Sequence, residues 1–243
     1  LTFALWMSVP LKPSWFADPP RIPNATFSPN SDALLYDVAG QNLLVGSGFA
    51  NSHWDEAIRR PMLSALLALF HAVRGLGYEE IIFLQVLFLS FYPAVLYRFV
   101  TQVHNRFSGL LAALIIALRE WNAIHLADTI TVSHAKILMS DLPATMGVVF
   151  FLWLITEWHQ QPDKRGHIAL AAGGVIAFFM LIRSEIVIFA LVVAGGSIWH
   201  YRKNLRLWAR SMLFVGLGIA LMVVPWMWRN WNVTGKFYMD APM

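Results

Sequence analysis

An all-α, polytopic membrane helix bundle with an extracytoplasmic first loop carrying juxtamembrane helices is the fold this chain predicts, on three observations. Hydrophobic residues make up 58% of it and charged residues 13%, against about 25% charged in soluble domains, and mean hydropathy is +0.56. Apolar runs approaching the ~20 residues that a crossing needs recur along the chain. One polar stretch, residues 10–60, stands apart from them and holds Asp32, Asp37, Asp55, Glu56, Arg59 and Arg60. The pI near 9.6 does not point to nucleic acid, because the basic residues lie in short loops between apolar runs, which is a topology signal. With no cysteine, disulfides and thiolate metal sites are excluded.

In chain order, residues 1–9 read as the tail of a first span, since no basic region or small-residue cleavage site marks a signal peptide. The chain opens on Leu1 and stops at Met243 inside a polar loop, so it is expected to be the amino-terminal part of a longer protein. Residues 10–78 form the extracytoplasmic loop. Within it, 61–77 is apolar but interrupted by His71 and Arg74, too short for a crossing and suited to a juxtamembrane helix. Spans are predicted at 81–100, where Pro93 is tolerated, and at 107–121, 139–158, 168–182, 186–201 and 213–228. They make 79–230 the transmembrane part of a single domain, 1–243, without internal repeats or a phosphate-binding glycine loop.

Sidedness follows from the basic residues. Three short loops that fall on one side hold Arg98 and Arg106; Lys164 and Arg165; and Arg202, Lys203, Arg206 and Arg210. The positive-inside rule makes that side cytoplasmic. The polar loop, the 122–140 connection, the Arg183–Glu185 turn and the 229–243 tail then share the outer face. Of 14 acidic residues, only Glu157 and Asp163 fall inside. Tryptophans near span ends, Trp158 and Trp226 among them, fit interfacial anchors.

Several outer residues have both a structural and a chemical reading. Asp32 and Tyr36 are spaced i, i+4 and share a helix face; Ser31 or Asp32 would cap that helix, or Asp32 would serve as a general base at the membrane surface. Arg59 and Arg60 precede Pro61, which suits a first helical turn. They either snorkel to lipid headgroups or converge with free N–H groups on a phosphate. Asp141, at the head of a span, reads as a cap that opens toward the same face as Asp32. Arg183 and Glu185 flank Ser184 and by default pair with each other or with water. His125, His134 and Asp128 share a loop without a recognised metal spacing. Asn24-Ala25-Thr26 and Asn232-Val233-Thr234 match the glycosylation triplet.

The order of these features is similar to that of the GT-C membrane glycosyltransferases, particularly the protein-mannosyltransferase and aminoarabinose-transferase type. An outer loop has Asp32-x-x-x-Tyr36 and a Leu43-Leu44-x-Gly46-x-Gly48 turn; Arg60-Pro61 opens a short apolar helix; two spans are joined by a basic turn. Ser140-Asp141 then heads a span, and Pro225-Trp226-x-x-Arg229-Asn230 comes shortly before Gly235. The resemblance covers nearly the whole chain and implies the amino-terminal part of such an enzyme. It implies Asp32 as catalytic base, Arg60 (with Arg59 beside it) as ligand of the lipid-linked phosphate, and Asp141 as the outer acid of a later span. Tyr36 and Arg183 are supporting positions. Ala33 stands where the family often has a second acid, and Arg59 where some relatives have an acid.

The expected activity is sugar transfer from a polyprenyl phosphate to a hydroxyl of a glycan, lipid or protein acceptor on the outer face of a cell membrane, that of the bacterial inner membrane in the first instance. No cofactor is fixed, and there is room for a divalent metal. A phosphate leaving group needs no protonation, so one carboxylate base suffices, and an arginine meets the charge that develops. Two other functions stay open: a transporter or flippase of a lipid-linked sugar, which would place ionisable groups inside the spans, and a non-catalytic membrane assembly subunit.

Overall fold

The computed structural model describes residues 1–23, 25–50, 60–160 and 166–240. A short helix, α1 (Thr2–Met7), comes first. Two-residue strands β1 (Ala17–Asp18) and β2 (Ser28–Pro29) pair antiparallel, Ala17 opposite Pro29. The rest is helical: α2 (Asp32–Leu44), α3 (Pro61–Arg74), α4 (Tyr78–Leu89), α5 (Tyr92–Val103), α6 (Arg106–His125), α7 (Asp141–Gln160), α8 (Gly166–Met180), α9 (Val187–His200, entered through the single turn Ser184–Ile186) and α10 (Leu205–Thr234).

Among the described residues, four helical segments are long and apolar enough to cross a membrane: Tyr78–Val103, Arg106–His125, Asp141–Gln160 and Leu205–Thr234. Pro61–Arg74, Gly166–Met180 and Ser184–Trp199 are shorter apolar helices. One face of α6 carries Leu110, Leu111, Leu114, Ile115 and Leu118, all exposed. Left in water, such a row would forfeit the burial that stabilises large apolar side chains; against lipid it costs nothing. The protein is a multi-pass membrane protein.

Helices bind to one another where glycine removes the side chain. A Cβ on Gly173 would strike the Val215 carbonyl of α10, and one on Gly218 the Leu170 carbonyl of α8. This close backbone approach is how helices associate in lipid. Gly147 admits the ring of Phe179 in the same way. Outside the bundle, α2 crosses α3 at Gly40, whose Cβ would lie 3.0 Å from the Ser64 carbonyl and 3.1 Å from the Ala68 amide. Trp6 of α1 is fully buried, and its indole N–H donates to the Ala117 carbonyl of α6 at 2.9 Å.

Three expectations need correction. The predicted span 213–228 begins eight residues earlier as α10, so Arg206 and Arg210 are helical rather than in a loop; the Asn204 side chain accepts from the Leu207 amide at 3.2 Å and starts the helix there,. The predicted span 81–100 is part of a 26-residue apolar stretch that breaks between Leu89 and Tyr92, just before Pro93, whose missing N–H interrupts the ladder,. Trp158 and Trp226, expected at the interface, are buried; Trp226 donates to the Met239 carbonyl at 2.8 Å.

Candidate active site

The candidate site is built on the N-termini of α2 and α3. The β1–β2 pairing brings Asp18 to Asn30, whose amide donates to it at 3.1 Å. Asn30 Oδ1 in turn accepts from the Ser31 amide at 2.7 Å. Ser31 sits at the N-cap of α2 with φ 54° and makes no side-chain capping bond, so the cap expected of it is absent. Asp32 follows, exposed, and makes no hydrogen bond or ion pair among the described residues. One turn on, Tyr36 is buried.

Arg60 holds the N-cap of α3 with φ 55° and ψ 55°, followed by Pro61 at the first helical position. Its guanidinium donates to the Tyr36 hydroxyl and lies 5.2 Å from the centroid of that ring. Among the described residues, Ser31 and Arg60 are the only non-glycine residues with positive φ. Such a backbone costs about 1–3 kcal/mol and persists only where its surroundings enforce it, often at functional sites. Here the two strained residues stand directly before the two helices that carry Asp32 and the arginine. Arg59 lies outside the described residues.

A second pair forms where α7 starts and α8 ends. Arg183 donates to the Asp141 carboxylate, and its Nε is 3.5 Å from Glu185. The three side chains, with Tyr92 and Thr145, are the polar lining of a cavity of about 440 Å³, whose apolar walls include Val148, Val149 and Phe189. Asp141 and Arg183 each had a local explanation in the sequence, as a cap and as the partner of Glu185; the structure joins them across 42 positions. The Asp141 carboxylate is thus already bonded to a guanidinium.

The two pairs are connected through the backbone. The Met62 amide donates to the Leu181 carbonyl at 3.3 Å, which ties the first turn of α3 to the end of α8. Ser184 donates to Asp240 at 3.1 Å, and Arg229 of α10 donates to the Phe49 carbonyl at 3.0 Å. Among the described residues, Tyr36 is thus joined to Arg60 and Asp141 to Arg183, while Asp32 precedes Tyr36 by one turn of α2 without a bond to either pair.

Sequence reasoning missed the buried polar pair between α2 and α3. His71 Nε2 lies 2.9 Å from Asp37 Oδ1, its Nδ1 is 3.0 Å from the Gly75 carbonyl, and both residues are buried. Burial alone would pull the His71 pKa down. The hydrogen bond to Asp37, the Gly75 carbonyl and the Asp37 charge together outweigh it and raise the pKa above 6.5,. The signal available in the sequence was a histidine breaking an apolar helical run. The two histidines expected in a loop, His134 of the 126–140 connection and His125, which the structure places at the end of α6 instead, behave otherwise. His134 accepts the Lys136 amide at 3.1 Å on Nδ1 and is pushed down to about 4, first by burial and then by the charges of Lys136 and Arg119. His125 donates to the Trp121 carbonyl at 3.2 Å, and Asp128 takes the Lys12 ammonium at 3.1 Å. Among the described residues, no three acidic or histidine side chains group as a metal site requires.

The family model described as dolichyl-phosphate-mannose-protein mannosyltransferase matches residues 58–228. The chain belongs to this mannosyltransferase family. It is therefore a membrane glycosyltransferase of the GT-C kind. The match takes in Arg60, Asp141 and Arg183 and leaves Asp32 and Tyr36 upstream of it. No curated protein and no solved structure matches this mannosyltransferase-family chain.

Proposed function

We propose that this protein transfers a sugar from a polyprenyl phosphate to an acceptor hydroxyl at the extracytoplasmic face, with Asp32 as general base and inversion at the anomeric carbon. Ionised Asp32 takes the hydroxyl proton as the acceptor oxygen attacks C1. The bond from C1 to the phosphate oxygen breaks, and its electron pair leaves on the phosphate. Arg60 meets that charge. Attack from the face opposite the leaving group inverts the centre, without the second flanking carboxylate of a retaining enzyme.

The observation that carries this reading is the bond from Arg60 to Tyr36. It leaves most of the five guanidinium N–H donors for a phosphate and binds the arginine to the helix residue that follows Asp32 by one turn of α2. Exposure of Asp32 supports the reading too, since a base has to reach an acceptor arriving from water. Arg183 and Asp141 act in support by orienting the rim of the neighbouring cavity. The test is reconstitution of the full-length protein in liposomes with a labelled polyprenyl-phosphate sugar. Covalent transfer with inverted anomeric configuration is expected; movement of the label across the bilayer without a covalent product would contradict it.

A further inference from the structure

The buried pair between α2 and α3 plays no part in the chemistry above, yet it sits between the two elements that supply it. Asp32 and Tyr36 belong to α2; Arg60 opens α3. The helices touch backbone to backbone at Gly40. One turn from Gly40, His71 of α3 reaches Asp37 of α2.

Both ring nitrogens of His71 face acceptors, a carboxylate oxygen at 2.9 Å and a main-chain carbonyl at 3.0 Å. A neutral imidazole carries one N–H and leaves one acceptor unmatched; an imidazolium satisfies both. The second Asp37 oxygen accepts from the Gln41 amide at 2.8 Å, so both oxygens of the carboxylate face donors and the N–H between the two residues belongs to the ring,. From α4, the titratable group facing the pair is Tyr78, buried, with no hydrogen bond to its hydroxyl. No second cation among the described residues is bonded to Asp37. Loss of the ring proton therefore leaves a buried carboxylate without its countercharge, and an uncompensated charge of that kind is strongly unfavourable.

We propose that His71 is a positioning residue for sugar transfer: held as an imidazolium between Asp37 and the Gly75 carbonyl, it locks α2 on α3 and so fixes Asp32 and Tyr36 relative to Arg60. This rests on the reading of Asp32 as base and Arg60 as phosphate ligand. Small displacements of reacting groups are costly, about 100-fold for 1 Å. The lock is present while the ring is protonated and is lost as pH rises through the raised pKa of His71.

The experiment compares wild type, Asp32→Asn, His71→Gln and Asp37→Asn for transfer from a polyprenyl-phosphate sugar across pH. Wild type is expected to lose kcat on the alkaline side. His71→Gln should lower kcat about 10- to 100-fold, with KM for the donor nearly unchanged, and abolish that alkaline limb; Asp37→Asn should move the limb to lower pH. Wild-type kcat and pH profile in His71→Gln, with Asp32→Asn inactive, overturns the positioning role alone. Activity in Asp32→Asn overturns the underlying reading instead. Should the buried variants fail to fold, hydrogen–deuterium exchange on wild type decides. Protection of α2 amides at about pH 6 should fall by about pH 9 after correction for intrinsic rates, with α7 unchanged; equal protection of α2 at both overturns the proposal.

Discussion

Met62 and Leu181 share one hydrogen bond, amide to carbonyl at 3.3 Å, so the residue two places after Arg60 is bound to the residue two places before Arg183. Through that contact the phosphate-binding turn proposed at the start of α3 is tied by the main chain to the segment that carries Arg183, the partner of Asp141. Prolines, glycines and main-chain bonds set the shape of this region. The charged side chains then set what it does.

Tyr36→Phe keeps the ring and removes the hydroxyl that Arg60 holds. A hydrogen bond to a charged group contributes about 1.5–3 kcal/mol, so kcat/KM for the lipid-linked donor should fall roughly 10- to 100-fold. Arg60→Lys keeps the charge but loses the planar fork and should fall at least as far. Steady-state kinetics over donor concentration checks both, and an unchanged donor kcat/KM in either variant would detach that residue from phosphate binding.

Asp141 and Arg183 form one ion pair, so their losses should not add. Asp141→Asn, Arg183→Gln and the double variant are expected to lose turnover to the same extent, as residues acting as a unit do. Their side chains are 39% and 33% exposed, so coupling in thermal melts should stay below about 1 kcal/mol. Additive losses of turnover would show two independent roles.

Stability should depend on pH through His71. Its pKa is raised on folding from 6.5, so its contribution is fully present below about 6.5 and disappears as pH rises through the folded value. The melting temperature in detergent should therefore be higher at about pH 6 than at about pH 9, and Asp37→Asn should narrow the difference. A melting temperature that rises over that interval would contradict the geometry of the pair.

Packing between α8 and α10 makes a separate prediction. At Gly218 any side chain meets main-chain atoms of Leu170, Gly173 and Gly174, which cannot rotate away. Gly218→Leu should cost at least the ~1–3 kcal/mol of ordinary overpacking, seen as a lower melting temperature. Gly216→Ala, where a Cβ meets nothing within 4 Å, should leave the melt almost unchanged.

Much of the fold was legible because membrane helices announce themselves by apolar length. Helix forms at every predicted span, broken at Leu89–Tyr92 in one and too short at 168–182 and 186–201 to stand among the four crossing segments, and the juxtamembrane helix opens at Pro61 as the Arg60-Pro61 step implies. What escaped was what local patterns do not hold. Arg206 and Arg210 read as loop because charge outweighed the Asn204 cap in the count. Tyr36 stood only as a supporting position because its partner, Arg60, lies 24 residues away. Asp37 passed as one more acid of a polar loop, although His71, 34 residues on, is what it binds. Long-range pairs of this kind come from how α2 folds back on α3, which depends on tertiary packing at Gly40.

The most direct measurement is transfer of a labelled sugar from its polyprenyl phosphate by the full-length Asp32→Asn protein, reconstituted beside wild type at matched expression and melting temperature. Loss of a positioned general base removes about 10²- to 10⁴-fold of the rate; that loss, with donor binding retained, is the expected result. Turnover at the wild-type rate would contradict the central role given to Asp32.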